Sequence, residues 1–178
     1  MKNILAISGS LRKSSYNTAI LRGLQGLVPE GVTVTVRTVG DLPLFNSEME
    51  SSMPESALLL KKSIEEADGL IIATPEYNRS IPGVLKNAID WATRPRGSNS
   101  FKGKHVMIMG ATNGQLGTAV AQSHLKEILV YLDTKFMGQP EVYISNVESK
   151  VSQEGVITDE STKEHLKKVL ERFVGELS

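Results

Sequence analysis

Three short stretches of this chain hold residue types that can donate hydrogen bonds to an anion or flank a flat ring. The first, Gly9 to Asn17, reads GSLRKSSYN. It follows a short apolar run, Ile4-Leu5-Ala6-Ile7, and precedes a helix-like pattern. The hydroxyls of Ser10, Ser14 and Ser15, with the free backbone N–H groups of a helix start, make a pocket rich in donors for a phosphate. Arg12 adds a charge-assisted fork, and Asn17 an amide that fixes the loop or the ligand. The second stretch, Pro75 to Pro82, reads PEYNRSIP. Tyr77 can flank a flat ring there, while Glu76, Asn78 and their backbone groups meet its polar edge. The third, Gly110 to Thr118, reads GATNGQLGT and offers Thr112, Asn113 and the backbone around Gly110, Gly114 and Gly117. Glycine lets a backbone approach a ligand closely. The first stretch is not a Walker A loop, since no Gly-Lys-Ser/Thr ends it, and it lacks the spaced glycines of a dinucleotide fingerprint.

The elements between these stretches tell how they are held. Lys2 to Ser8, Leu70 to Thr74 and His105 to Met109 are short apolar runs suited to strands buried on both faces. Val32 to Val39 alternates Val with Thr or Arg, a strand with one wetter face nearer a sheet edge. Helical spacing of apolar residues follows each strand. Ile20, Leu21, Leu24, Leu27 and Val28 form one helix that ends at Pro29 to Gly31; Ala57, Leu60, Ile64 and Ala67 form a second, opened by Pro54 and Glu55. A third starts at Pro82-Gly83, and a fourth carries Leu125, Ile128, Leu129 and Leu132. Phe136 to Ile144 is a final strand interrupted near Gly138 and Pro140, and residues 145 to 160 form a loop. Ser161, with Glu164 three residues on, is the expected cap of a last helix carrying Leu166, Val169, Leu170 and Phe173. Five strands alternating with five helices predict one α/β domain over 1–178, a three-layer sandwich around a parallel sheet.

Composition excludes several roles. Lys plus Arg is 20 and Asp plus Glu is 20, so no basic field exists to drive nucleic-acid binding. No acidic field exists either, of the sort an electron carrier uses to steer toward partners. There is no Cys, which removes disulfides, thiol nucleophiles and Cys-based metal sites. A phosphate-binding hydrolase on this scaffold therefore lacks its Cys nucleophile. His105, His124 and His165 are far apart and lack ligand spacing, so no metal is expected. No apolar run approaches membrane-spanning length and the N-terminus carries no secretion pattern, so a cytoplasmic protein without membrane contact is expected.

In an open parallel sheet every strand-to-helix loop emerges at the carboxyl ends of the strands. The three stretches follow the first, third and fourth strands. In the flavodoxin-like order 2-1-3-4-5 these strands are neighbours, so their loops converge. A phosphate at one side and a flat heteroaromatic at the other describe a mononucleotide, and FMN is the one that matches this sheet order.

The sequence resembles the NADPH-dependent FMN reductase family, of the chromate/quinone reductase and azoreductase type. The residues that carry the resemblance are Gly9-Ser10-Leu11-Arg12 with Ser15 and Asn17, Pro75-Glu76-Tyr77-Asn78 with Ser80, Pro82 and Gly83, and Leu85-Lys86-Asn87-Ala88-Ile89-Asp90-Trp91. It implies a flavodoxin-like fold, tightly bound FMN, and a homodimer or homotetramer with the flavin near a subunit interface. It implies Ser10, Arg12, Ser15, Tyr16 and Asn17 at the phosphate and Pro75, Glu76, Tyr77, Asn78 and Arg79 at the isoalloxazine. Ala111, Thr112 and Gly114 would lie along the flavin's other side. Arg79 departs from the family, where an aromatic, a His or a Gly is common. The implied reaction is ping-pong: NADPH or NADH reduces the flavin, and a quinone, azo compound, metal oxyanion such as chromate, or free flavin collects the electrons. The flavin carries that chemistry, so no side chain is expected as a catalytic acid or base. The competing reading is a flavodoxin-like electron carrier or flavin-binding module with no NAD(P)H reaction of its own. Arg94 and Arg96 are candidates to meet the NADPH 2′-phosphate or an anionic acceptor.

Overall fold

The computed structural model describes residues 1–177. The apolar runs form a parallel sheet in which β1 (Lys2–Ser8), β2 (Val32–Thr38), β3 (Gly69–Ala73), β4 (His105–Ala111) and β5 (Lys135–Phe136) lie in the order 2-1-3-4-5. This is the flavodoxin-like arrangement. Every residue of β3 is buried, as a run apolar on both faces requires.

Period-2 alternation sorts the central strands between two cores. Ile4, Ala6, Ile71, Ala73, Met107 and Met109 face one side, where helices α1 (Tyr16–Leu24) and α5 (Glu160–Glu176) bury Ile20, Leu24, Leu166, Leu170 and Phe173 against them. Leu5, Ile7, Leu70, Ile72, Val106 and Ile108 face the other. There α2 (Glu55–Glu66), α3 (Gly83–Ala92) and α4 (Ala119–Tyr131) supply Leu60, Ile64, Leu85, Ile89, Leu125 and Leu129. Each fully buried Leu, Ile or Phe contributes about 1.5–3 kcal/mol relative to exposure.

The final strand is not one interrupted strand but two. β5 pairs with the start of β4, His105 beside Lys135, and β6 (Val142–Ile144) pairs with its end, Ala111 beside Ile144. Between them the chain leaves the sheet through Gly138 and Pro140. The last helix also starts earlier than Ser161. Asp159 caps it, its carboxylate accepting from the Thr162 N–H at 2.7 Å. Helix α1 ends at Leu24, and Gln25 to Val28 continue as turns bonded back to Arg22, Gly23 and Leu24. The long loop of residues 40–53 contains a 3-10 turn at Ser47–Ser52.

That loop is strapped to α3. Asn87 donates to the Pro43 carbonyl (2.9 Å) and accepts from the Phe45 N–H (2.7 Å), and the Trp91 indole donates to the same carbonyl (2.8 Å). Phe45 meets Trp91 edge-on at 5.1 Å. Asn87 and Trp91, both in the Leu85 to Trp91 block, thus hold the loop after β2. The segment after α3 is pinned from below by Lys61. Its buried ammonium donates to Ala92 O (3.2 Å), Ser98 O (2.7 Å) and Ser100 Oγ (2.9 Å). Burial lowers the Lys61 pKa, and Glu65 partly offsets it. No helix among the described residues is long and apolar enough to cross a membrane.

Candidate active site

Register brings the three loops together. Ser8 lies beside Ala73 and Ala73 beside Met109, so β1, β3 and β4 finish at one level. A cleft of about 210 Å³ opens above them. From the first loop it takes Ser10, Arg12, Ser15, Tyr16 and Asn17. From the second it takes Pro75, Glu76 and Tyr77, and from the third Ala111, Thr112 and Asn113. Asn78, Arg79 and Gly114, also expected here, do not line it, nor does Ser14.

The first loop is built around the start of α1. Ser15 is the N-cap, its hydroxyl accepting from the Thr18 N–H at 3.3 Å. Helix geometry leaves the Tyr16 and Asn17 N–H groups with no intrahelical acceptor, so they are available to an anion. Asn17 is spent on architecture. Its Nδ2 donates to Ala111 O (2.9 Å) and its Oδ1 accepts from the Ala111 N–H (3.0 Å), which locks the first loop to the third. Below, Ser8 Oγ and Thr18 Oγ1 share a buried hydrogen bond of 2.7 Å.

The second loop is a tight hairpin. Tyr77 and Ser80 exchange both backbone hydrogen bonds at 3.0 Å, and Asn78 and Arg79 carry φ of +51° and +62°. Positive φ at both central residues is the type I′ pattern, usually filled by Asn-Gly. The turn presents the Tyr77 ring, 49% exposed, at the cleft.

Glu76 has a role that sequence patterns did not reveal. Helix α4 begins after Thr118, whose φ is +69° and whose side chain makes no cap. Glu76 Oε2 takes that place, accepting from the Val120 and Ala121 N–H groups, both at 3.1 Å. An anion at a helix N-terminus is favourable. The Arg79 guanidinium lies 3.6 Å from the other Glu76 oxygen, and His124 Nδ1 lies 3.1 Å from Ser80 Oγ. Loops two and three are therefore tied through α4.

Gly110, which belongs to the end of β4, and Gly117 serve packing, whereas Gly114 has room around it. A Cβ on Gly110 would lie 1.8 Å from Thr118 Oγ1, and one on Gly117, at φ +57°, 2.7 Å from the Tyr143 backbone. Arg94 and Arg96 do not reach the cleft. They line a separate cavity of about 800 Å³ between α3 and α4, and Arg94 sits on the Phe45 ring and 3.5 Å from Glu50.

A flavodoxin-like sheet with an amide- and hydroxyl-rich helix start at one end of a cleft and an exposed tyrosine at the other fits a mononucleotide-binding protein of the α/β type. The chain belongs to the NADPH-dependent FMN reductase family, whose description matches residues 2–149. It is 44% identical over 170 residues to a 2-hydroxy-1,4-benzoquinone reductase of Burkholderia sp., covering 96% of this chain and 93% of that one. It is 42% identical over 169 residues to an NAD(P)H-dependent FMN reductase of Pseudomonas aeruginosa, covering 94% and 91%. Among solved structures, the flavoenzyme NAD(P)H:(acceptor) oxidoreductase FerB of Paracoccus denitrificans superposes with a TM-score of 0.93 at 41% identity, covering 99% of this chain and 97% of that one. The protein is thus an FMN-dependent NAD(P)H oxidoreductase.

Proposed function

We propose that this chain reduces quinones with electrons from NAD(P)H, using FMN held in the cleft above β1, β3 and β4. The observation that carries the reading is the cleft itself. Its first-loop end is made of hydroxyls and free helix-start amides, and its other end is flanked by Tyr77. In this reading Ser10, Arg12, Ser15, Tyr16 and Asn17 surround the phosphate. Pro75, Glu76 and Tyr77 border the isoalloxazine, while Asn78 and Arg79 form the turn that carries Tyr77. Ala111, Thr112 and Asn113 run along the other side, with Gly114 beyond the cleft. Bound FMN supplies the hydride acceptance and release. The chain's own residues position the ring, hold the phosphate and leave one face open to the donor and then the acceptor. Quinones are favoured as acceptors because flat rings can stack where nicotinamide stacks, and because quinone reduction is what the Burkholderia relative is named for.

The working form in this proposal is a homo-oligomer in the cytoplasm. Support comes from the α3–α4 face, where Val130 and Tyr131 are 68% and 87% exposed and Tyr131 borders the 800 Å³ cavity. Light scattering reads the assembly directly. The activity is tested by absorption spectra of the purified protein with FMN, anaerobic NADPH addition, and reoxidation by a quinone panel. The flavin bands should bleach with NADPH and return with quinone. A protein that cannot be loaded with FMN refutes the site, and one that stays oxidised under NADPH is a carrier.

A further inference from the structure

A second cavity lies on the far side of the first loop. It measures about 370 Å³ and is lined by Ser10, Leu11, Arg12, Lys13, Thr18 and Arg22, by Thr38 at the end of β2 and by Gly40 just beyond it. Thr18 and Arg22 are four apart on α1, so they share one helix face. Three cations meet here with no carboxylate; the Ser10 and Thr38 hydroxyls are beside them, while Thr18 Oγ1 is hydrogen-bonded to Ser8 Oγ. None of the three is ion-paired among the described residues, although nine ion pairs are formed elsewhere. The α3–α4 cavity that holds Arg94 and Arg96 differs, because Asp90 and Glu127 line it too. The cavity between α1 and α5 likewise mixes Lys163 and Lys167 with Glu160 and Glu164. Ser10 and Arg12 belong to both the cation-lined notch and the cleft, whereas Lys13 and Arg22 line only the notch.

We propose that this notch binds the adenosine 2′-phosphate end of NADPH, and that Lys13 and Arg22 set the preference for NADPH over NADH. The inference rests on the FMN site proposed above. A dinucleotide is longer than FMN by an adenosine phosphate. With its nicotinamide over the ring end near Tyr77, its far end passes beyond the flavin phosphate, on the side that Ser10 and Arg12 share with the notch. A phosphate dianion there finds an Arg fork, an ammonium and hydroxyl donors. NADH offers only a ribose hydroxyl at that position and gains little from the two cations.

The test uses the FMN-loaded protein with Lys13→Gln, Arg22→Gln and the double variant. Steady-state kinetics with NADPH and NADH are paired with calorimetric titration of adenosine 2′,5′-bisphosphate, 5′-AMP and inorganic phosphate. The double variant should raise KM for NADPH about tenfold or more while kcat and KM for NADH stay within twofold. Bisphosphate affinity should fall by a similar factor, and Arg22→Lys should restore part of it. FMN content should not change. The assignment is overturned if KM rises equally for both nucleotides or for neither. It is also overturned if the parent protein binds the bisphosphate no better than 5′-AMP, or if inorganic phosphate binds as well as the bisphosphate. Should the parent oxidise neither nucleotide, the oxidoreductase reading fails, and the titration still decides the notch on its own.

Discussion

Replacing Glu76 with Ala tests whether one carboxylate joins the second and third loops. The variant removes two hydrogen bonds at 3.1 Å from the Val120 and Ala121 N–H groups. Those amides have no side-chain cap to fall back on, because Thr118 makes none. Loss of an N-cap costs about 0.5–2 kcal/mol, and loss of a negative charge at a helix start about 0.3–1 kcal/mol. The two overlap, so about 1–2 kcal/mol is expected for Glu76→Ala. Glu76→Gln keeps one acceptor oxygen and gives up the charge, so about 0.5–1 kcal/mol is expected. The exposed Arg79 contact adds little to either figure, since its side chain is 68% exposed. For a chain of this length each kcal/mol moves the melting point by about 2–4 °C. Urea and thermal denaturation of the FMN-free protein measure these losses without the ligand, and the Gln loss should shrink as salt is raised. FMN titration should then show several-fold weaker binding for Glu76→Ala, because Tyr77 is carried by the loop that Glu76 anchors. A Glu76→Ala protein whose FMN-free stability stays within about 0.3 kcal/mol of the parent refutes the capping role.

Asn17→Ala leaves the Ala111 N–H and carbonyl unpaired at a buried position, so urea denaturation should show a loss of about 2–4 kcal/mol. A loss below about 1 kcal/mol would mean that solvent replaces Asn17 there. Arg79→Gly relieves a left-handed backbone at φ +62° and should stabilise the protein by about 0.5–1 kcal/mol in the same assay; destabilisation would show that the Arg side chain matters more than its backbone. His105 lies at the start of β4 with both ring nitrogens buried and unpartnered. Burial, then the positive charge of Lys135, holds its pKa below the usual 6.5; Glu176 pulls the other way, and Lys2 adds the smallest lowering. The unfolded chain therefore takes up a proton first as pH falls through 6.5, and stability drops until the folded His105 also protonates. His105→Phe should remove that part of the decline between pH 7 and 5, and an unchanged slope would contradict the assignment.

Much of the fold was legible because the central strands are buried on both faces and read as plain apolar runs. The pattern places β1 at its observed bounds, β3 one residue late and the end of β4 two residues early, and the loops that follow these strands converge as the strand order requires. Failures occurred where local signals compete. Ser161 and Glu164 match a capping box, yet Asp159 lies two residues earlier, and its carboxylate accepts from the Thr162 N–H. β5 and β6 are two and three residues long, too short for periodicity to separate. The Glu76 cap spans 44 residues and leaves no local pattern in the chain. Gly110 and Gly117 looked like ligand-facing positions because glycine marks any close approach. The neighbours that come close, Thr118 and Tyr143, are known only once the chain is folded.

The division of the last strand into β5 and β6 also bears on how molecules behave at high concentration. Outside β4 a foreign strand would find two residues at one level and three at another, separated by a detour through Pro140, which has no N–H to offer. That border of the sheet is blunt and offers no template for intermolecular pairing. The opposite border is continuous, seven residues of β2 from Val32 to Thr38. Only Arg37 puts a charge on it, and that charge is engaged with Asp41 at 3.2 Å. Any aggregation that proceeds by strand addition is therefore channelled to β2, and a lysine or a proline there is the place to suppress it.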